Sequence, residues 1–395
     1  MSGQPGDHTN TENLKRTAAA TVDRHLGELI ALSHAVHASP ELCFEEHRSS
    51  AATAAALRSG GLSVDEGVYE LPTAFESRTG HGALVVTVCA EYDALPDVGH
   101  ACGHNIIAAA AVGAGLALAE VADDAGLEVR VLGTPAEEGG GGKVLLLERG
   151  AFAGVHAAMM IHPWPTERLT GSCLAVSHFD VHFAGMEAHA SAAPWKGVNA
   201  LDAMTISQVA LGLLRQQLPP GDQVHGVITG GGTAANVIPA TVTGRFMARS
   251  LTIEGLRVLE PRIRACFEAG ALATGCSLEF EELSPVYSHM ESDADLLGAY
   301  RRNAEALGRS FEADDDGAPL PTFSTDMANV SLAVPTIHPL VGIDAGGSVN
   351  HQHEFAAACI TESADAAVRD GAVALAWTAI DAATDPALRA RLLGA

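Results

Sequence analysis

One stretch governs how this chain folds: Glu91-Tyr-Asp-Ala-Leu-Pro-Asp-Val-Gly-His-Ala-Cys-Gly-His-Asn105. It crowds three carboxylates, two imidazoles and a thiol between two apolar runs. Leu84–Cys89 is short and β-branched, which predicts a buried strand. Ile106–Ala119 is Ala-rich and apolar, which predicts a core helix. The polar cluster therefore occupies a strand-to-helix loop, and in open α/β sheets such loops, beyond the carboxyl ends of strands, bind ligands. Cys102 and His104 are separated by one glycine. Thiolate and imidazole suit a borderline divalent cation, and Gly103 lets the two side chains converge. The alternative for this segment alone is a buried thiol and a structural histidine.

Further ligand types follow later apolar runs. Leu127–Leu132 leads into Gly133-Thr-Pro-Ala-Glu137-Glu138, Ala157–Ile161 into His162, and Thr336–Val341 into a loop carrying His351 and His353. A parallel sheet would bring all of these loops to one edge. Adjacent glutamates are commonly a solvated pair, but these lie between a buried strand and four glycines. There, one could neutralise a metal while the other accepts protons.

The alternation of strand, polar loop and helix predicts an α/β fold, a mainly parallel sheet with helices on both faces. From about residue 172 the order becomes βαββαβ, that of a ferredoxin-like module, and helical pattern resumes near residue 293. The expected organisation is a tail over 1–13, a metal-binding domain from 14–171 and 292–395, and an inserted module over 172–291. Within the larger domain a strand is also expected at Leu62–Leu71.

With 395 residues, 47% of them hydrophobic, the chain has ample material for two cores. A net charge of −25 excludes nucleic acid as a partner. No apolar run is long enough to span a bilayer, and no basic region followed by an apolar stretch marks a secretion signal. Seven scattered cysteines suit reduced thiols, so a cytoplasmic location is expected. Gly139–Lys143 imitates a phosphate loop, but Glu137 stands where glycine is required and Val144 where Ser or Thr would bind magnesium.

Glu91-Tyr-Asp-Ala-Leu-Pro, His100-Ala-Cys-Gly-His-Asn105, Gly133-Thr-Pro-Ala-Glu-Glu138, His162-Pro and His351-Gln-His-Glu-Phe355 together resemble the M20 metallopeptidase and amidohydrolase family. The similarity is to its amidohydrolase branch, near aminobenzoyl-glutamate hydrolases and M20 dipeptidases. Asn105 and Ser324-Thr-Asp-Met327 resemble the dipeptidase-like subgroup. The resemblance implies two divalent cations, zinc or manganese, held by Cys102, His104, Glu138, His162 and His351. Glu137 would be the base and Asp93 the residue that orients His104. His353 departs from the family pattern, in which the first histidine is the ligand. Gly185-Met-Glu-Ala-His189 resembles the segment whose histidine reaches an active site, often the partner subunit's. Asn236-Val-Ile-Pro239 and Arg249 resemble the pair that holds a substrate carboxylate, for which the planar guanidinium fork is well shaped.

The implied activity is hydrolysis of an amide bond in an N-acyl amino acid or dipeptide-like substrate by a homodimer. Two alternatives are a deacetylase of substrates without a carboxylate, and a metal-dependent binding protein without turnover.

Overall fold

The computed structural model describes residues 5–311 and 322–394. The chain divides into two compact units. The first comprises the chain up to Ser172, Met290–Thr322 and the chain from Asp326 onward; the second is Cys173–His289 with Phe323–Thr325.

The first unit opens with helices α1 (Pro5–His37) and α2 (His47–Ser59), then strands β1 (Asp65–Glu66), β2 (Phe75–Thr79) and β3 (Leu84–Ala90). Next come α3 (His104–Ala119), β4 (Leu127–Gly133), α4 (Gly142–Glu148), β5 (Ala157–Met159) and β6 (His162–Trp164). The second unit carries β7 (Ala175–Ala184), β8 (Ala188–His189), α5 (Ala200–Arg215), β9 (Gln223–Gly230) and β10 (Val237–Ile238). It continues with β11 (Thr241–Ser250), α6 (Ile253–Thr274) and β12 (Ser277–Glu282). The first unit then resumes with α7 (Ala294–Ala306), β13 (Thr336–Ile337), β14 (Leu340–Gly342), α8 (His353–Ala358) and α9 (Glu362–Thr384).

In the first unit a six-stranded sheet has the order β1-β2-β4-β3-β5-β13. The pairs β4–β3, β3–β5 and β5–β13 are parallel, whereas β2 joins β4 antiparallel at one side. Every residue of β3 is buried, and its alternation divides it between two cores. Leu84, Val86, Val88 and Ala90 join the core formed with α1, α3 and α9, while Val85 and Cys89 join Leu132, Leu146, Phe152 and Met327 on the other face. A strand covered on both faces has no polar side to show, so it reads as one apolar run. The fold is thus the α/β arrangement expected, with a mixed sheet.

In the second unit, βαββαβ gives an antiparallel four-stranded sheet of order β9-β11-β7-β12. Phe179, Phe183, Phe246 and Phe267 fill its core against α5 and α6. Asn199 caps α5, accepting from the Leu201 amide, and Thr252 caps α6, accepting from the Gly255 amide.

Several boundaries differ from expectation. Residues 5–13, read as tail, continue α1: Leu14, Ala18 and Val22 are buried, and a helix fixed by that packing extends outward at little cost. Residues 1–4 lie outside the described residues. Of the strand expected at Leu62–Leu71 only Asp65–Glu66 (β1) forms, pairing with Phe75–Thr79 (β2), which in turn pairs with β4, while Val68–Glu70 forms a 3-10 turn. Pro339 interrupts the expected strand Thr336–Val341, giving β13 and β14, because proline has no amide hydrogen for the ladder. No helix among the described residues is long and apolar enough to cross a membrane.

Candidate active site

Strands β3, β4 and β5 run parallel, so the chain leaves them on the same edge. Glu91, Tyr92 and Asp93 follow β3 and are buried at 0–1% exposure, and Thr134–Glu137 follow β4 and are buried too. Gly103 turns the chain into α3 at φ +77, and a Cβ there would lie 2.8 Å from the Pro163 ring. Only glycine meets both demands. His104 is then the first residue of α3.

Asp93 fixes His104. The imidazole Nδ1–H donates to the Asp93 carbonyl at 2.9 Å and to its Oδ1 at 3.0 Å, which leaves Nε2 to face the other side. Around that buried nitrogen lie Glu91 Oε2 at 3.4 Å, Glu138 Oε1 at 3.8 Å and Glu137 Oε2 at 3.9 Å. His162 is oriented likewise, Nδ1–H donating to its neighbour's carbonyl at Pro163 over 2.8 Å. The two rings meet edge-on with centroids 5.9 Å apart.

Three groups of ligand-type atoms converge, each within 4.8 Å of one another: Cys102, His104 and His162; Cys102, Glu138 and His351; His104, Glu137 and Glu138. Cys102 therefore belongs to two triads that include all five expected ligands. His351 reaches Glu138 Oε2 at 3.9 Å from a backbone at φ +71 and is the exposed member. His353, the competing candidate, begins α8 and belongs to none of these triads.

The electrostatics also fit divalent cations. Burial alone would push the His104 imidazole down, but Asp93 and Glu91 hold it well above its usual range. Burial, then the carboxylates of Glu91 and Glu138, push Glu137 well up. Burial and Glu138 do the same to the Cys102 thiol. Burial and His338 push His162 well down, leaving it neutral with a lone pair on Nε2. Negative groups thus exceed positive ones in a dry space, and soft and hard donors are mixed. A divalent cation would neutralise that excess and displace protons from thiol and imidazole.

Four buried residues at this edge, Lys143, Glu91, Asp326 and His338, escaped the sequence reading as site residues. Lys143, the apparent phosphate-loop lysine, is 0% exposed, and its ammonium donates to Glu91 Oε1 and to Asp326 Oδ1 at 2.7 Å. Its amide donates to Asp326 Oδ2 at 2.8 Å. The available signal was a lone lysine inside Val-Leu-Leu-Leu and glycine, where no solvated side chain belongs. His338 is a fourth buried group, its ring 5.3 Å from that of His162.

The remaining expected residues lie in the second unit. Val237 pairs with His189 across β10 and β8, and Ala190 donates to the Asn236 carbonyl at 2.9 Å, so His189 and Asn236 are neighbours. His189 Nδ1 accepts from the Ser191 and Ala192 amides at 3.3 and 3.2 Å. Arg249 stands at the far end of β11 from Thr241, half-buried, its Nη1 donating to Ser324 Oγ at 3.0 Å. Within the unit, Arg249 and Asn236 therefore belong to opposite ends of β11.

Comparison with known proteins gives this geometry its context. The family described as peptidase family M20/M25/M40 matches residues 88–370. The Xaa-Arg dipeptidase of Mus musculus is 40% identical over 393 residues, covering 95% of this chain and 90% of that protein. A p-aminobenzoyl-glutamate hydrolase polypeptide of Escherichia coli K12 is 32% identical, covering 61% of this chain and 54% of its own length. Among solved structures, a dinuclear metal-binding M20 peptidase of Bacillus subtilis superposes with a TM-score of 0.68 at 22% identity, covering 91% of this chain and 98% of its own. This chain belongs to peptidase family M20/M25/M40 and is a hydrolase of amide bonds.

Proposed function

We propose that the protein hydrolyses the amide bond of a dipeptide-like or N-acyl amino acid substrate, with Glu137 as general base beside two divalent ions, zinc or manganese. The observation that carries this reading is the position of Glu137. It is buried within 3.9 Å of His104 yet lies outside the two triads that share Cys102.

The triad of Cys102, His104 and His162 would hold one ion and that of Cys102, Glu138 and His351 the other. When bound, such ions polarise the scissile carbonyl and make a coordinated water acidic near neutral pH. Glu137 takes the proton of the attacking water and hands it to the departing amine; burial raises its proton affinity and suits it to both steps. Asp93 holds His104 in the tautomer that presents Nε2. In this reading His189 stabilises the developing oxyanion. Arg249 anchors the substrate carboxylate by its bidentate fork, and Asn236, at the opposite end of β11, joins that carboxylate from the second protomer of the homodimer.

The similarity to Xaa-Arg dipeptidases makes dipeptides with a C-terminal basic residue the first substrates to screen. A homodimer in the cytoplasm completes the proposal, and sedimentation of the purified protein tests the dimer. The deciding experiment is Glu137→Gln in metal-loaded protein. We expect turnover to fall by on the order of 10²–10⁴-fold with metal content unchanged. Turnover near that of the wild type would remove Glu137 from the base role. Replacing Arg249 with Ala should cripple carboxylate-bearing substrates and spare those without one.

A further inference from the structure

We propose that Glu46, remote in sequence and outside the ligand set, is a positioning residue for Glu137; this rests on the reading of Glu137 as the base. Glu46 is 0% exposed, in the turn that leads into α2. Its Oε1 accepts from the Ala136 amide at 2.9 Å and from the Phe44 amide at 2.8 Å, and its Oε2 accepts from Thr73 Oγ1 at 2.9 Å. Ala136 immediately precedes Glu137 and sits at φ +62, in the left-handed region that residues with a Cβ rarely adopt. Phe44 is in the same region, at φ +64. One buried carboxylate thus ties down the amides of two residues held in an unfavourable backbone conformation.

The other side of Glu137 is held in the same manner. The Glu138 amide donates to Asp93 Oδ2 at 2.9 Å. The amides of the two residues on either side of Glu137, Ala136 and Glu138, are therefore gripped by two carboxylates from two separate loops, which fixes the backbone from which its side chain starts. Glycine is the usual residue for a turn of this conformation. The chain has alanine instead and supplies a charge-assisted hydrogen bond to hold it. The Ala136 carbonyl in turn accepts from the Gly140 and Gly142 amides at 3.1 and 3.4 Å, so the grip on Ala136 also anchors the glycine run that follows Glu138.

The test uses metal-loaded full-length protein on its best dipeptide substrate. Glu46→Ala should lower kcat by on the order of 10²-fold, as expected for a displaced catalytic group, with KM and metal stoichiometry unchanged. Amide hydrogen exchange should accelerate at residues 136–138. Glu46→Gln, whose amide oxygen can still accept from both amides while its NH2 faces the Thr73 hydroxyl, should stay within about tenfold of the wild type. Adding Ala136→Gly to Glu46→Ala should recover part of the loss, since glycine adopts the left-handed conformation unaided. Wild-type kcat in Glu46→Ala would overturn the proposal, and so would metal loss in proportion to activity, or Glu46→Gln as inactive as Glu46→Ala. Glu137→Gln run beside these variants separates the two readings. If it retains turnover the base assignment fails; if it is inactive while Glu46→Ala is not, only the positioning role fails.

Discussion

Replacing Lys143 with Met tests whether the buried charge at the sheet edge is balanced as the geometry requires. The side chain is fully buried, and its ammonium is the cation between Glu91 and Asp326. Methionine fills a similar volume but leaves two carboxylates facing each other without a counter-charge. The least costly escape is for one of them to take up a proton. For a carboxyl of ordinary pKa near 4, that costs about 1.36 × (7 − 4), or about 4 kcal/mol, at pH 7. This lies in the range of about 3–5 kcal/mol for a buried pair that loses one partner. The sign with pH follows from linkage: a carboxyl whose folded pKa is raised above its unfolded value destabilises progressively as pH climbs from the unfolded to the folded pKa. At pH 5.5 the same arithmetic gives about 2 kcal/mol. Urea unfolding followed by tryptophan fluorescence reads the right unit, because Trp377 is half-buried with its Nε1–H donating to the Lys15 carbonyl, whereas Trp195 is 77% exposed. A loss below about 1 kcal/mol at both pH values, or a larger loss at pH 5.5 than at pH 7, would refute the charge balance argued here.

Three further outcomes are expected. Asp93→Ala should weaken metal affinity by about 10–100-fold in a competition with a chelator, since it frees the His104 ring to turn. Asn105→Asp should destabilise by about 1–3 kcal/mol in urea unfolding, because a carboxylate cannot donate to Ser33 Oγ and the Cys359 carbonyl as Asn105 Nδ2 does at 2.8 and 2.9 Å. In the second unit, burial, then Arg249 and His225, pull His178 down to about 4. Its unfolded value is near 6.5, so stability is full above that pH and is lost as pH falls towards 4, about 2 kcal/mol of it by pH 5. His178→Gln should flatten that part of an acid-unfolding curve.

The sequence alone carries the alternation of apolar strand, polar loop and helix, because burial on both faces of a sheet leaves its mark in consecutive residues such as Leu84–Ala90. It also carries Cys102 with His104, whose convergence needs only one intervening glycine, and Glu137–Glu138, flanked by a strand and a glycine run. What distant residues do for one another was decided by tertiary structure. The 136 amide is held by Glu46, ninety residues earlier in the chain, and Lys143 is neutralised from both sides, by Glu91 and by Asp326. Local pattern records which side chains leave water, since burial repeats with the period of a strand or helix. Compensation of a buried charge depends on distances of a few ångströms between loops, and no periodicity encodes those.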